Sequence, residues 1–353
     1  MLSKISIFRH TQHSFCEEIQ KRLGKGRHHA AKTYAKWFSE GNFNADSFYW
    51  VEPQAQNLVQ EILSLTDFSI PVATRVKQEG ATSKFLLAIE GNMETESVLI
   101  PMEAGTTICL SSQVGCRMGC AFCETGRMGL LRQLKAEEIV GQVFYAKHVL
   151  KAALRNIVFM GMGEPLDNFE EVALALKILT DPAGLGFGPS RITISTSGKV
   201  DAIYRFMEEM DPALNLAVSI NAPNDEIRQK LMPVNRKWDM AALKDAMLAY
   251  CEHPRREILV EYVLIDQVNS SLEHADQLAE YLRGLRVRVN LIAYNPQSND
   301  RFSPPNDQVI EAFTKKLRER GLMTLIRHPK GQGIMAACGQ LGNPGWRKRQ
   351  SLN

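Results

Sequence analysis

The chain has 353 residues, of which 44% are hydrophobic and 23% are charged, and its formal net charge is +3 at pH 7. These proportions are ordinary for a folded globular protein and exclude a collagen-like or wholly disordered chain. The N-terminal segment MLSKISIFRHTQHSF lacks the apolar run of a signal peptide, and nowhere does an apolar stretch reach membrane-spanning length. We therefore predict a cytoplasmic protein with no membrane partner, in which clustered cysteines are metal ligands or catalysts.

Basic residues are concentrated near the two ends of the sequence. Residues 1–50 contain eight Lys or Arg against four acidic residues, and no acidic residue follows Glu319. Basic ends on a near-neutral body are typical of a protein that binds a polyanion. Charge alone leaves a nucleic-acid partner and a merely solvated surface equally open.

The pattern of apolar residues changes along the chain. Residues 1–70 place apolar residues three and four positions apart, which predicts helices, and residues 71–101 contain three short strand-like runs. Between residues 102 and 345, strand-like runs alternate with helical segments, and a basic tail follows at 346–353. This alternation predicts an α/β fold with a parallel sheet. We expect an N-terminal helical domain, a small β-rich linker region and a partial (β/α)6-type barrel.

Cysteine, glycine and polar residues follow the predicted barrel strands, one group after another. The groups are the cysteine cluster after TTICLSS, GMGEP at 161–165, TSG at 196–198, NAPND at 221–225 and YNPQSND at 294–300. In a single loop such residues are ordinary turn formers. Five groups at strand ends predict one ligand site, because barrel enzymes place their chemistry at the C-terminal ends of the strands.

Four of the seven cysteines lie in CLSSQVGCRMGCAFC at 109–123. Cys116, Cys120 and Cys123 have the spacing C-x3-C-x2-C, which can fill three corners of a 4Fe-4S cluster and leave one iron open. A zinc site completed by Cys109 is the alternative. It is less favoured because the predicted strand carries Cys109 away from the loop.

This cysteine spacing after a first barrel strand resembles the radical S-adenosylmethionine (radical SAM) superfamily. Within it, the chain resembles the RlmN/Cfr family of adenosine methyltransferases between about residues 90 and 342. The segments that carry the resemblance are CLSSQVGCRMGCAFCETG, EEIVGQV, FMGMGEPLDN, RITISTSG, LAVSINAPND, EYVLIDQVN, NLIAYNP and AACGQL. The resemblance implies that residues 1–70 form an RNA-binding domain.

The family implies methylation of an unreactive carbon of adenosine in 23S rRNA and, in some members, tRNA. It also implies one 4Fe-4S cluster, two SAM molecules per turnover, an external electron donor such as flavodoxin and a monomeric enzyme. Carbon 2 is the predicted position. Carbon 8 is the alternative, because TGRMGLL and LKILTDPAGLGFGPSRITIST resemble both branches of the family. A radical SAM enzyme with a substrate other than RNA is less favoured, since it would not need Cys109 and Cys338 together.

Cys338 and Cys109 have distinct roles in the mechanism that the resemblance implies. Cys338, in AACGQL, would carry the methyl group as S-methylcysteine, and a radical formed on that group would join it to adenine. Cys109 would then form a transient disulfide with Cys338 and release the RNA. Glu96 matches the family's proposed proton acceptor.

The resemblance also implies a set of SAM-binding positions. Gly161 and Gly163 would leave open backbone for the amino acid end of SAM, and Glu164 would accept from its ammonium group. Asn221 stands where the family usually has histidine, so no acid–base role is predicted for it. The implied positions are Gly163, Glu164, Ser195, Ser219, Ile220, Asn221 and Asn295.

Overall fold

The computed structural model describes residues 3–43, 45–297 and 300–342. The predicted basic tail at 346–353 lies outside these residues. None of the helices in the described part of the chain is long and apolar enough to cross a membrane. The α-helices are α1 Gln12–Leu23, α2 Arg27–Glu40, α3 Gln56–Leu65, α4 Glu124–Met128, α5 Ala136–Phe144, α6 Phe169–Leu179, α7 Val200–Glu209, α8 Asp225–Leu231, α9 Met240–Glu252, α10 Leu272–Tyr281 and α11 Asp307–Glu319.

The strands of the described residues form one large sheet and two small ones. They are β1 Ile5–Ser6, β2 Thr66–Asp67, β3 Ala73–Glu79, β4 Thr82–Ile89, β5 Met93–Met102, β6 Gly105–Cys109, β7 Gln113–Gly115, β8 Leu130–Gln133, β9 Leu154–Phe159, β10 Ile192–Thr196, β11 Asn215–Ser219, β12 Ile258–Leu264, β13 Val287–Ala293 and β14 Met323–Arg327.

The large sheet is the α/β barrel wall that the sequence predicts. Its strand order is β14-β13-β12-β11-β10-β9-β6-β5-β4-β3. Strands β6 and β9 to β14 pair in parallel, and β5, β4 and β3 continue the sheet as an antiparallel meander. The predicted β-rich segment 71–101 is therefore an extension of the barrel sheet. The domain boundaries at 70 and 101 remain a prediction.

The barrel core follows from the apolar patterns of its elements. The strand β12 is largely buried, as expected for a parallel strand covered by helices. The helix α11 buries Ile310, Phe313 and Leu317, which lie on one face because they are three, four and seven residues apart. The side chain of Asn224 caps α8 by accepting from the backbone N–H of Ile227 at 3.0 Å.

The N-terminal helices pack directly on the barrel through α5. The ring of Phe144 stacks on Trp37 with centroids 5.3 Å apart, and Phe8 meets the same ring edge-on at 4.8 Å. The guanidinium of Arg9 donates to Glu171, on α6, at 2.9 Å. The N-terminal region and the barrel thus share one apolar core.

Candidate active site

A cavity with about 930 Å³ of empty space, part of it open to solvent, lies at the C-terminal ends of the parallel strands. All five predicted strand-end groups contribute to its wall, the group at 294–300 through Tyr294. One cavity therefore collects residues from loops that are far apart in sequence, as the barrel prediction requires.

The loop with the cysteine spacing forms one side of this cavity. It is enclosed by the hairpin of β7 and β8, and the backbone N–H of Cys116 donates to the carbonyl of Gly129 at 3.0 Å. Gly115 has a φ of 72°, and a Cβ there would lie 1.8 Å from that same carbonyl oxygen. Only glycine fits this position, so the local sequence folds the loop tightly around its three thiols.

Cys116, Cys120 and Cys123 all line the cavity. Loss of hydration raises the pKa of each thiol, and the charges of the neighbouring thiols raise the pKa of Cys116 and of Cys120, the latter to about 12. Three such thiols require a positive centre before they can all ionise. Within the described residues, no three His, Cys, Asp or Glu side chains could hold a single metal ion. The three thiols on one loop fit three corners of a 4Fe-4S cluster.

Cys109 and Cys338 are close enough in space for the charge of one to act on the other although they are far apart in sequence, and Cys338 is the one of the two that lines the cavity. Cys109 ends β6, and the nearby backbone N–H of Met160 acts to lower its pKa. Burial raises the pKa of Cys109 to about 12, and the negative charge of Cys338 adds to this effect. Cys338 lines the cavity, and its carbonyl accepts from Asn295 Nδ2 at 3.0 Å. All seven cysteines of the chain are free thiols here.

Arg327 is a site residue that the sequence does not single out. It ends β14 and lines the cavity with Cys338 and Glu261. The pKa of its guanidinium is raised, mainly by the negative charge of Cys338, while burial acts in the opposite direction. Its segment LIRHP predicts only a strand with a basic end, and its cavity partners Glu261 and Cys338 come from β12 and from the segment after β14.

Glu96 is held by a buried ion pair. It lies on β5, where its carboxylate contacts Lys84 Nζ of β4 at 3.0 Å. The same Nζ donates to the carbonyl of Met335 at 2.9 Å, three residues before Cys338. Glu96 is not one of the residues that line the cavity in the described part of the chain. Its role as a proton acceptor stays a prediction, and Lys84 links it to the segment that carries Cys338.

The implied SAM positions fall into two groups. Gly163, Glu164, Ser195, Ser219 and Asn221 line the cavity. Ile220 is buried behind the wall, and its backbone N–H donates to the carbonyl of Glu261 at 3.0 Å. Asn295 is also outside the lining, and besides holding the Cys338 carbonyl it accepts from Gln332 at 2.8 Å.

The glycines of the GMGEP loop are also required by close packing, because a side chain at either position would collide with its neighbours. A Cβ on Gly161 would lie 2.6 Å from the carbonyl oxygen of Leu110, and a Cβ on Gly163 would lie 2.6 Å from Gln113 Cβ. The loop therefore needs glycine in order to approach the end of the first barrel strand. Next to it, Glu164 Oε2 accepts from Ser197 N at 2.7 Å and from Ser197 Oγ at 2.8 Å. Burial nevertheless raises the pKa of Glu164.

Arg228 fixes the ends of two neighbouring strands and was not foreseen from the sequence. Its fully buried guanidinium donates to the carbonyls of Ser197 at 2.7 Å, Ser219 at 3.2 Å and Ile220 at 3.2 Å. Burial lowers its pKa. A helical arginine in NDEIRQKLM would ordinarily be solvated, so only the tertiary structure reveals this role.

Asn221 also has a backbone role. Its φ of 55° lies in the left-handed region, which asparagine tolerates better than most residues. Its Oδ1 accepts from the backbone N–H of Val263 at 2.8 Å. The amide oxygen is thus occupied by the next strand, which agrees with the absence of an acid–base role.

Comparison with known proteins places these features in a family. Residues 110–278 match the model of the radical SAM superfamily. The probable dual-specificity RNA methyltransferase RlmN 1 of Protochlamydia amoebophila is 53% identical, over 96% of this chain and 94% of that protein. The dual-specificity RNA methyltransferase RlmN of Syntrophus aciditrophicus is 39% identical, over 92% of this chain and 94% of that protein. The crystal structure of a radical SAM methyltransferase from Sphaerobacter thermophilus superposes with a TM-score of 0.88, at 36% identity and 95% and 98% coverage of the two chains.

Proposed function

This chain belongs to the RlmN family of radical SAM RNA methyltransferases, and we propose that it methylates carbon 2 of an adenosine in 23S rRNA and in tRNA. The relatives reported above carry the RlmN name, which favours the carbon-2 branch over carbon 8. A non-RNA substrate has no support among them.

One observation supports the proposal: two cysteines outside the cluster spacing, far apart in sequence, are close enough in space for the charge of one to act on the other. Cys338 lies in the cavity wall with Cys116, Cys120 and Cys123, and its charge acts on the buried thiol of Cys109. A radical SAM enzyme that needed only its cluster would have no use for this second pair. A methyl carrier and a resolving thiol require this juxtaposition.

The proposed residue roles follow from the positions of the side chains. Cys116, Cys120 and Cys123 would hold the cluster, which together with SAM supplies the hydrogen-abstracting radical. Cys338 accepts a methyl group from SAM on its sulfur: the new S–C bond forms as the sulfonium S–C bond breaks. Cys338 lies among the cavity residues, and it therefore presents this methyl group inside a site sheltered by the strand ends.

Release of the product falls to Cys109. Its thiolate attacks the Cys338 sulfur, and a transient disulfide forms as the bond from that sulfur to the bridging methylene carbon breaks; this carbon leaves with the electron pair and takes up a proton to become the methyl group. The thiol has a pKa of about 12, so little thiolate is present at neutral pH. The positive charge of Arg327 lowers this pKa and favours the reactive form.

The proposal extends to partners that the site alone does not identify. We assign RNA contacts to the N-terminal region, because residues 1–50 carry an excess of basic side chains and α5 joins this region to the barrel. A monomeric, cytoplasmic enzyme that receives electrons from a flavodoxin-like donor completes the proposal.

The test is chemical analysis of RNA. A strain that lacks the endogenous carbon-2 methyltransferase is complemented with this chain, and nucleosides from its 23S rRNA and tRNA are separated and identified by mass spectrometry. We expect 2-methyladenosine in both RNAs. Formation of 8-methyladenosine alone, or of neither nucleoside by an iron-loaded enzyme, would contradict the proposal.

A further inference from the structure

A second cleft, open to solvent, lies at the opposite end of the barrel from the active-site cavity. It is formed by the segment that leads into β9 and by the loop 184–191 that leads into β10. Lys147, Arg155 and Arg191 line this cleft, and no acidic residue of the described structure does. Lys151 is exposed on the same segment as Lys147. The cleft is therefore a concentration of positive charge.

The three cations that line the cleft are unpaired. Within the described residues, none of the side chains of Lys147, Arg155 and Arg191 forms an ion pair or a hydrogen bond. Burial lowers the pKa of Lys147, and no carboxylate acts against this effect. By contrast, Arg205 on the neighbouring helix α7 contacts two carboxylates. Gathered like charges repel one another, so an anion that enters the cleft would be bound favourably.

The loop 184–188, with the sequence GLGFG, leaves its backbone accessible in the cleft. Gly186 and Gly188 both line the cleft, and Gly186 has a φ of 66°. A Cβ on Gly188 would meet no atom within 4 Å, so packing does not require glycine there. The missing side chain instead allows a ligand to approach the main chain closely. The half-buried ring of Phe187 lies between these two glycines.

The helix α2 of the N-terminal region contacts both segments that form the cleft. Nε2 of His148, next to Lys147, lies 3.0 Å from the carbonyl oxygen of Phe38. The hydroxyl of Tyr34 lies 3.1 Å from the position that a Cβ on Gly184 would take. The cleft thus borders the region to which the proposed function assigns RNA contacts.

The same helix also presents cations beside aromatic rings. Lys32 Nζ lies 5.1 Å from the ring centre of Trp50, and Lys36 Nζ lies 5.0 Å from that of Tyr49. Tyr49 is 80% exposed. Cations together with exposed aromatic rings are typical of surfaces that bind single-stranded or looped RNA. Two parts of the molecule that meet at α2 therefore have features suited to RNA.

The distance between the cleft and the active-site cavity is compatible with one RNA molecule at both. The strand β9 begins at the cleft and ends at the cavity, and its six residues span about 20 Å. Roughly six stacked bases of a nucleic-acid strand cover this length. An electron-donor protein, the other macromolecule of the proposed function, would have to approach the cluster loop at the far end of the barrel. The position of the cleft therefore favours RNA.

We propose that the cleft of Lys147, Arg155 and Arg191 binds the phosphate backbone of the RNA substrate while the target adenosine occupies the cavity. This inference rests on the proposed function for its partner and adds a contact surface on the barrel itself. Phosphate contacts carry no base information, so the cleft positions the RNA and does not select the adenosine.

The test measures RNA affinity of the anaerobically reconstituted holoenzyme at several salt concentrations. The probes are a fluorescently labelled tRNA transcript and protein-free 23S rRNA. In the triple variant Lys147→Gln, Arg155→Gln, Arg191→Gln, we expect affinity to fall by about tenfold or more at low salt. The slope of log affinity against log salt concentration should become shallower by about two to three, because three phosphate contacts are lost. SAM affinity, iron content and melting temperature should remain those of the wild type.

The matched control removes three positive charges from another part of the barrel. Arg255, Arg283 and Lys315 are exposed and belong to the elements around β12, β13 and β14. Their triple replacement by Gln changes the net charge by the same amount. This control should keep the wild-type RNA affinity and salt slope, which separates a local contact from a general effect of net charge.

The remaining outcomes would overturn the proposal. Wild-type RNA affinity and salt slope in the cleft variant would exclude the contact. Equal losses in the cleft variant and the control would assign the effect to net charge, and a loss of SAM affinity or iron alongside RNA would assign it to structural damage. Cleft-dependent binding of inorganic phosphate, measured by calorimetry, with unchanged RNA affinity would overturn it in favour of a small anion.

Failure of this inference can be told apart from failure of the proposed function, because RNA binding is measured without turnover. Cleft-dependent RNA binding by a wild-type enzyme that forms no 2-methyladenosine would contradict the proposed function and leave the RNA contact standing. Formation of 2-methyladenosine with RNA affinity independent of the cleft would do the reverse.

Discussion

The two groups of cysteines at the cavity are assembled in different ways. Cys116, Cys120 and Cys123 lie on one loop, which is closed by a hairpin and by a glycine that no other residue can replace. Cys109 and Cys338 come from opposite ends of the barrel sequence, and only the fold brings the charge of one within reach of the other. The first group is built by local structure and the second by the whole fold.

Because of this difference, variants of the cluster loop and variants of the Cys109–Cys338 pair should lose activity in different ways. Damage to the loop removes the cluster, so every later step is lost together. Damage to the pair leaves the loop intact, because its backbone contacts, such as that of Cys116 with Gly129, do not involve Cys109 or the Cys338 side chain. Variants of the pair should therefore stop the reaction at separate, identifiable stages.

The largest effect is expected for Cys338→Ala. Because the side chain that accepts the methyl group is gone, we expect no methylated RNA while iron content and SAM cleavage remain. Liquid chromatography with mass spectrometry measures the methyladenosine, and iron analysis measures the cluster.

Cys251→Ala is the matched control for this variant, since Cys251 is a half-buried thiol on α9, away from the cavity lining. It should retain wild-type methylation. Methylated RNA from Cys338→Ala would show that another residue carries the methyl group.

The contrast also explains how far the site could be predicted from the sequence. The cluster loop can be predicted because its three cysteines are close together in the sequence, and the barrel can be predicted because strands and helices alternate along the chain. Arg228 and Arg327 were missed because their partners are carbonyls and thiols that only the fold brings near. Lys84 was missed for a related reason, since SKFLLAIEG reads as an ordinary strand and its ion pair with Glu96 depends on strand register.

The next largest effect is expected for Cys109→Ala. Methyl transfer to Cys338 and attachment to RNA should proceed, but release should fail because no thiol can attack the Cys338 sulfur. A covalent protein–RNA adduct should accumulate, visible as a nuclease-sensitive band of reduced mobility in a denaturing gel. Normal turnover with free product would exclude Cys109 as the resolving residue.

A pH dependence of release follows from the same thiol. The pKa of Cys109 is raised to about 12, mainly by burial, so the thiolate fraction below this pH grows about tenfold per pH unit. In single turnovers, decay of the adduct should therefore accelerate by about this factor per unit between pH 7 and pH 9. A rate of decay that is flat over this range would indicate that another step limits release.

The smallest effect is expected for Arg327, which acts on the pair through its charge. Arg327→Met removes the cation that lowers the pKa of Cys109, so adduct decay at pH 7 should slow by roughly tenfold, the effect of one pKa unit. Arg327→Lys keeps the charge and should decay faster than Arg327→Met, and a higher pH should restore the rate of Arg327→Met. Arg288→Met, which breaks a surface ion pair with Glu257, is the control. If the rate of Arg327→Met is low at every pH, the side chain supports the structure of the site and does not stabilise the thiolate. In that case Arg327 would help to position the cysteine pair, and its charge would not set the rate of release.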